Sequence, residues 1–214
     1  MRRARALTLK PGNITYEEAA AVPQASGVAL QGLRKGQIQS GQKVLVNGAS
    51  GGVGPFAVQI AKSYGAEVTG VCSTGNLEMV RSIGADHVID YTQEDFTQNE
   101  QRYDLILDMV ANRSTSDYKR ALSPEGVYVA VAPNPSVMLL GSLMSKTGGK
   151  KVTALRQIPD VNDMVYMKEL IEAGKVVPVI DRRYPLSDVA EAMRYLEEGH
   201  HQGKVVITVE HNNK

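Results

Sequence analysis

Short apolar runs recur along the chain, separated by turn residues and by segments with helical spacing. Six of them read as strands: Lys43 to Asn47, Glu67 to Cys72, His87 to Ile89, Tyr103 to Asp108, Val127 to Val131 and Lys151 to Leu155. Helical segments alternate with them. One runs from about Gly52, with Val53, Phe56, Ala57, Ile60 and Ala61 on one face. Others cover Leu77 to Ile83, closed by Gly84, Thr115 to Leu122, and Asn162 to Ala173, stopped by Gly174. Such alternation predicts an α/β fold, a doubly wound parallel sheet of the Rossmann type covered on both faces. The end of the chain reads as a short strand-helix-strand extension: Val176 to Asp181, Pro185 to Glu198 and Lys204 to Val209. The expected division is a dinucleotide-binding domain over 1–174, with a lead-in helix, and a C-terminal segment over 175–214. Between Pro133 and Lys151 an apolar stretch, Val137 to Met144, fits a helix on the sheet, a wall of a substrate pocket or a subunit contact.

The most specific chemistry lies where the first strand breaks into Asn47-Gly48-Ala49-Ser50-Gly51-Gly52-Val53-Gly54. Small residues let the backbone approach a pyrophosphate, and the following helix points its N–H groups and positive dipole end at the phosphates. Alanine stands where the first glycine of G-x-G-x-x-G is usual. The context supports the motif nonetheless, because strand, turn, helix and second strand complete a βαβ unit of about 30 residues. Ser50, Gly51, Gly52, Val53 and Gly54 are therefore the candidate pyrophosphate contacts. About 20 residues beyond such a turn, a site for NAD places an acid on the ribose 2′-hydroxyl. Here the second strand ends Val71-Cys72-Ser73-Thr74-Gly75-Asn76, with no carboxylate and with Ser73, Thr74 and Asn76 able to donate to a 2′-phosphate. NADP(H) is the expected cofactor. Arg81 reads as a solvated helix position. Ligands sit beyond the carboxyl ends of parallel strands, which adds Val110, Ala111 and Ala132 to the candidates.

Composition narrows the class. The chain has 214 residues, 43% of them hydrophobic, and Lys+Arg 24 against Asp+Glu 23. A balanced charge without long single-sign runs argues against a nucleic-acid surface. No apolar run reaches the ~18 residues of a membrane span, and no signal-peptide core follows Met1-Arg2-Arg3, so a cytoplasmic location is expected. A single cysteine, Cys72, excludes an intrachain disulfide. No metal site is expected, since His87, His200, His201 and His211 show no ligand spacing, and the adjacent pair His200-His201 reads as a solvated helix end. No Ser-His-Asp set or carboxylate pair can be assigned, so the catalytic residues stay unassigned.

With these segments in place, the chain resembles the medium-chain dehydrogenase/reductase superfamily, in its zinc-independent quinone oxidoreductase-like branch. The resemblance is carried by five blocks in order: Leu9 to Pro23, Asn47 to Gly54, Gly84-Ala85-Asp86-His87-Val88-Ile89-Asp90-Tyr91, Leu170 to Lys175, and Gly203-Lys204-Val205-Val206-Ile207. It implies hydride transfer from NADPH to a small-molecule substrate, a quinone, enone or carbonyl, and it places Tyr91 beside the adenosine phosphate end, although a strand-end tyrosine packed at the surface fits equally. It also places Gly203 and Lys204 where the C-terminal stretch returns toward the cofactor, although an edge strand with a solvated lysine fits equally. Members of the superfamily begin with a separate β-rich catalytic domain, and this chain is expected to lack that half of the substrate cleft. Val177, Val179, Val205, Val206 and Ile207 would then form an exposed apolar face, and a homodimer is expected to cover it. A non-catalytic NADP-binding module, or a piece needing a partner for the substrate half, is the alternative reading.

Overall fold

The computed structural model describes residues 7–131, 149–199 and 201–209. Six parallel strands form one sheet: β1 (Lys43–Asn47), β2 (Glu67–Cys72), β3 (His87–Asp90), β4 (Tyr103–Asp108), β5 (Leu122–Ala130) and β6 (Lys151–Ala154), in the order β3-β2-β1-β4-β5-β6. The chain winds outward from β1 to β3, crosses back to β4 beside β1, and winds outward the other way. A crevice therefore opens between the carboxyl ends of β1 and β4. Seven helices lie among the described residues: α1 (Tyr16–Ala21), α2 (Pro23–Lys35), α3 (Gly54–Ser63), α4 (Leu77–Ser82), α5 (Thr115–Ala121), α6 (Val161–Glu172) and α7 (Val189–Glu197).

Both faces of the sheet are dry, which explains the near-continuous apolar strands. Along β1, Val44 and Val46 pack into one core with α2 and α3, while Leu45 points into a second core with Phe96, Tyr118 and Tyr128. The same alternation runs through β4, with Leu105 and Leu107 on the first face and Ile106 on the second. Tyr118 and Tyr128 stack with ring centroids 4.3 Å apart. The helix starts obey local rules: Thr15 and Glu18 form a capping box on α1, and Pro23 opens α2. A cap of that kind contributes about 1 kcal/mol.

Two expectations shift in register. The predicted strand from Val176 to Asp181 is replaced by β7 (Ile180–Pro185), which pairs in parallel with β8 (Lys204–Thr208) as a separate two-stranded sheet. The apolar Val176 and Val177 are drawn elsewhere. The Gln59 side chain of α3 takes the Val177 N–H at 2.8 Å and donates to its carbonyl at 3.0 Å, and Pro178 has no N–H to offer a ladder. This docking buries α3 nearly all round, rather than on the single face its spacing suggested. The predicted helix from Pro185 accordingly starts later, at Val189. Strand β5 starts at Leu122 rather than at the expected Val127, with an irregularity over Pro124-Glu125-Gly126, because Leu122 pairs with Tyr103 and Val127 already with Leu105. Ala132 and the Val137 to Met144 stretch lie outside the described residues.

The expected apolar face at the C-terminal segment is partly covered within the chain. Val206 is buried, while Val179, Val205 and Ile207 are half-buried and Val177 is exposed. Helix α1 sits beside β8, and Arg183 Nε of β7 donates to Glu17 Oε2 of α1 at 2.5 Å.

Candidate functional site

The glycine turn between β1 and α3 is held from below and left open above. The amides of Gly48 and Ala49 both donate to the Val71 carbonyl of β2, at 3.1 and 2.9 Å, which ties the turn to the neighbouring strand. Gly48 has φ +87°, which favours glycine. A side chain on Gly54 would place its Cβ 2.2 Å from the Gly48 carbonyl oxygen, so only glycine lets α3 start this close to the turn. Gly51 is different. A Cβ there would meet only the Gly48 carbonyl oxygen, at an ordinary 3.7 Å, with its outer side free.

No side chain caps α3. The amides of Ser50, Gly52 and Val53 have no acceptor among the described residues, and the positive end of the helix dipole points out with them. A second positive group stands in the same place. The Lys204 ammonium lies 3.5 Å from where a Gly52 Cβ would be, and it forms no ion pair among the described residues. Like charges gathered in this way fit an anion between them, and the cradle fits a dinucleotide phosphate.

The C-terminal segment is fastened over the turn. Gly203 N donates to the Ser50 carbonyl at 2.8 Å, and Gln202 Nε2 donates to the Gly75 carbonyl at 3.4 Å. On the other side Asn76 Nδ2 bridges Ser50 Oγ at 3.0 Å and Ser73 Oγ at 3.2 Å, linking the turn to the end of β2. Between these parts lies a cavity of about 340 Å³. Of the residues predicted from sequence, Ser50, Gly51, Ser73, Tyr91 and Val110 line it. Gly52, Val53, Gly54, Thr74 and Ala111 lie next to it in the chain but not on its wall.

A carboxylate organises the β4 side from underneath. Asp108 is wholly buried at the end of β4, and its Oδ1 accepts from Asn47 Nδ2 at 2.8 Å and from the amides of Val110 and Ala111 at 2.9 and 3.0 Å. Its Oδ2 accepts from the Tyr128 hydroxyl at 2.7 Å. Burial, and then the Asp108 charge, push the Tyr118 and Tyr128 hydroxyls far above the usual phenol range, so both stay protonated as donors. The network holds Ala111 at φ +55° and sets Val110 against Gly48. Ala111 thus shapes the wall without touching the cavity.

A second acid changes the picture at β2. The sequence shows no carboxylate after Cys72, but β3 brings Asp90 alongside. Thr74 Oγ1 donates to Asp90 Oδ2 at 2.6 Å, and the Thr92 amide and hydroxyl donate to Oδ1 at 2.9 and 2.7 Å. The Thr74 bond, followed by those from Thr92, holds the Asp90 carboxyl below the ordinary carboxylate range. The Thr74 hydroxyl is therefore already donated to Asp90. Burial, followed by the Asp90 charge, pushes the Cys72 thiol up to about 11, which leaves it a neutral packing group in the cavity wall. Arg81 pairs with Glu78 on the exposed face of α4, in line with its reading as a solvated helix position.

Among the lining residues that the sequence reading did not assign to the site, two carry an orphaned nitrogen. Arg113, five residues beyond the end of β4, faces the cavity with its Nε buried and unpartnered. His201 does the same with Nδ1. Gly199 at φ +74° ends α7 and turns the chain back across the site, a stop signal that was legible although its destination was not. A larger open concavity of about 680 Å³ lies at the opposite ends of the strands, lined by groups such as Gln37, Asp104 and Lys151. It has no helix N-terminus on its wall, and Asp104 is already bonded to Lys43 N and Ser123 Oγ.

Fold and site define a dinucleotide-binding member of the dehydrogenases, and comparison with known proteins agrees. The model of the zinc-binding dehydrogenase family matches residues 83–207, more than half of the chain. A 2-methylene-furan-3-one reductase of Solanum lycopersicum is 38% identical over 94% of this chain and 49% of its own length. An NADPH-dependent alkenal/one oxidoreductase, chloroplastic, of Arabidopsis thaliana is 37% identical over the same shares. The quinone oxidoreductase structure from Coxiella burnetii superposes with a TM-score of 0.84 at 27% identity, covering 95% of this chain and 64% of that one. The chain belongs to the zinc-binding dehydrogenase family, within the quinone oxidoreductase-like branch of the medium-chain dehydrogenase/reductases. It spans about half the length of the two curated relatives. Among the described residues no three His, Cys, Asp or Glu side chains stand together as a metal site, and no helix is long and apolar enough to cross a membrane.

Proposed function

We propose that this chain is the NADPH-binding half of an oxidoreductase that reduces a quinone, an enone or a carbonyl by hydride transfer. The observation that carries the reading is the uncapped start of α3 with its free amides, faced by the Lys204 ammonium. The names of the two plant relatives support the substrate class, and one of them names NADPH. When bound, the nicotinamide supplies the hydride chemistry, and the protein contributes position and charge. Ser50, Gly51, Gly52, Val53 and Gly54 hold the pyrophosphate, and Ser73 and Tyr91 stand at the adenosine end. Thr74 acts there through Asp90, and Val110 and Ala111 shape the wall on the β4 side. Catalytic residues are not assigned on this chain.

The preference for NADPH over NADH rests on the absence of an acid in the Ser73-to-Asn76 loop, and the charged Asp90 bonded to Thr74 and Thr92 works against it. A fluorescence titration with each nucleotide tests this: NADPH should bind more tightly, and Gly51→Asp should abolish binding by setting a carboxylate against the pyrophosphate. Equal affinity for both nucleotides would remove the preference, and undiminished binding by the variant would remove the assignment of the turn.

The division at residue 174 is proposed on the same reading, with the two-stranded C-terminal sheet as the part that meets the substrate half. We further propose a homodimer, on the exposure of Val177 and the half-burial of Val205 and Ile207. Light scattering that gives a monomer at micromolar concentration would refute it. The cytoplasm is the proposed location, and imaging of a tagged chain that places it in an organelle would overturn that.

A further inference from the structure

We propose that Arg113 and His201 are the side-chain contacts that hold the adenylate half of the dinucleotide, reaching it from opposite walls of the cavity at the glycine turn. The proposal rests on the cofactor reading above and extends it to two residues outside every recognised motif. Both line the one cavity, together with Ser50, Gly51 and Ser73. In each, a nitrogen is buried without a partner: Nε of Arg113 and Nδ1 of His201. An orphaned buried donor is costly, so native structures rarely keep one unless something else fills the gap. The Arg113 Nε always carries its hydrogen, the guanidinium is held by an Nη2 contact to Asp95 Oδ2 at 3.4 Å, and the Arg113 backbone N–H donates to the Tyr118 hydroxyl at 3.2 Å. The His201 ring is carried in by the segment that Gly203 and Gln202 pin to the turn. For the Arg113 Nε–H the missing partner is an acceptor on the ligand, a ring nitrogen, ribose oxygen or phosphate oxygen of a purine nucleotide; His201 Nδ1, according to its tautomer, meets such an acceptor or a donor such as a ribose hydroxyl or a purine amino group. At about 340 Å³ the cavity lies at the bottom of the usual range for small-molecule sites, with room for one nucleotide rather than two.

The test uses adenosine 2′,5′-bisphosphate as the probe for this half, with nicotinamide mononucleotide as its counterpart, in calorimetric titrations of the full chain. The bisphosphate should bind and the mononucleotide should not. Arg113→Lys keeps the charge beside Asp95 and deletes the Nε–H, while His201→Phe keeps the ring shape and deletes both nitrogens. Each should weaken bisphosphate binding about tenfold, equivalent to ~1.4 kcal/mol, without lowering the melting temperature. On the unsubstituted chain, the His201 ring nitrogens, assigned by their loss in His201→Phe, should shift in ¹⁵N spectra when the bisphosphate is added. Affinities within twofold of the parent in both variants, or an unmoved His201 signal, would overturn the proposal. If NADPH still binds the parent and not Gly51→Asp under those results, the cofactor reading stands and only this assignment falls. Failure of the parent to bind either nucleotide would remove both.

Discussion

The glycine turn and the C-terminal segment that crosses it form one site by opposite means. The turn acts through its backbone: glycines at 48 and 54 that nothing else can replace, amides left without acceptors, and a helix end without a cap. The segment from Gly199 to Lys204 acts through side chains, His201 and Lys204, delivered by two hydrogen bonds to residues far away in sequence. The turn is embedded in the sheet, between cores on both faces. The segment belongs to a two-stranded sheet that is largely half-buried. A backbone site is specified by local spacing, whereas a site built from a returning strand is specified by where the chain lands.

Substitutions at the turn should separate fold from binding most sharply. Gly54→Ala forces a Cβ to within 2.5 Å of backbone atoms of Gly48 and Ala49 and should destabilise the chain by at least about 3 kcal/mol, read as a large fall in melting temperature. Gly51→Ala meets nothing closer than 3.7 Å and should melt with the parent while binding NADPH more weakly. If both melted alike, the close approach of α3 to the turn would be wrong.

Beneath the turn, Asp108→Asn replaces an acceptor of four hydrogen bonds with an amide that must set its NH₂ against donors. Thermal or urea unfolding should show a loss of about 2–3 kcal/mol. Cofactor affinity should fall with it, because Val110 and Ala111 are released. A neutral result would show that the wall is held by packing alone.

The segment should respond in the other order, with binding affected more than stability. Gly203 has φ +81°, and a Cβ there would lie 2.4 Å from the Val179 carbonyl oxygen. Gly203→Ala should cost about 1–3 kcal/mol locally, loosen the bond to Ser50 and weaken NADPH binding, with the main unfolding transition little changed. Loss of the whole fold would mean that the two regions are a single cooperative unit.

The smallest effect is expected at Asp90. Removing its charge with Asp90→Asn should improve NADPH affinity by less than about tenfold and leave NADH unchanged, since only the former carries a 2′-phosphate to repel. The sign of the pH dependence follows from its depressed pKa. The carboxylate is charged at every pH above its ordinary 3.8 and is neutralised only below that value. Asp90 itself should therefore not titrate between about pH 5 and 8, and any change in its repulsion there should follow the second ionisation of the 2′-phosphate at about 6. A preference that moved within that window without that midpoint would implicate another group.

The contrast between the regions also explains what could be read in advance. The parallel sheet and the turn were legible, because apolar strands, glycines and a βαβ length are local properties. Val110 was reached through the rule that ligands meet strand ends, and it lines the cavity. Asp90 was missed because it belongs to a neighbouring strand, and only the pairing of Cys72 with Asp90 brings it to Thr74. His201 was set aside as a helix end because nothing near it in sequence says that Gly199 sends the chain back over Ser50. The shift of β7 has the same origin: Gln59 of α3 captured the Val177 backbone across a long stretch of chain.

Hydrogen exchange read by mass spectrometry, with and without NADPH, tests the two-region site most directly. The account predicts that the cofactor slows exchange in Gly48 to Gly54 and in Gly199 to Lys204 together, and leaves the opposite strand ends around Gly36 to Gln42 unchanged. Protection of the turn alone, or of neither, would contradict a site shared between the sheet and the returning C-terminal segment.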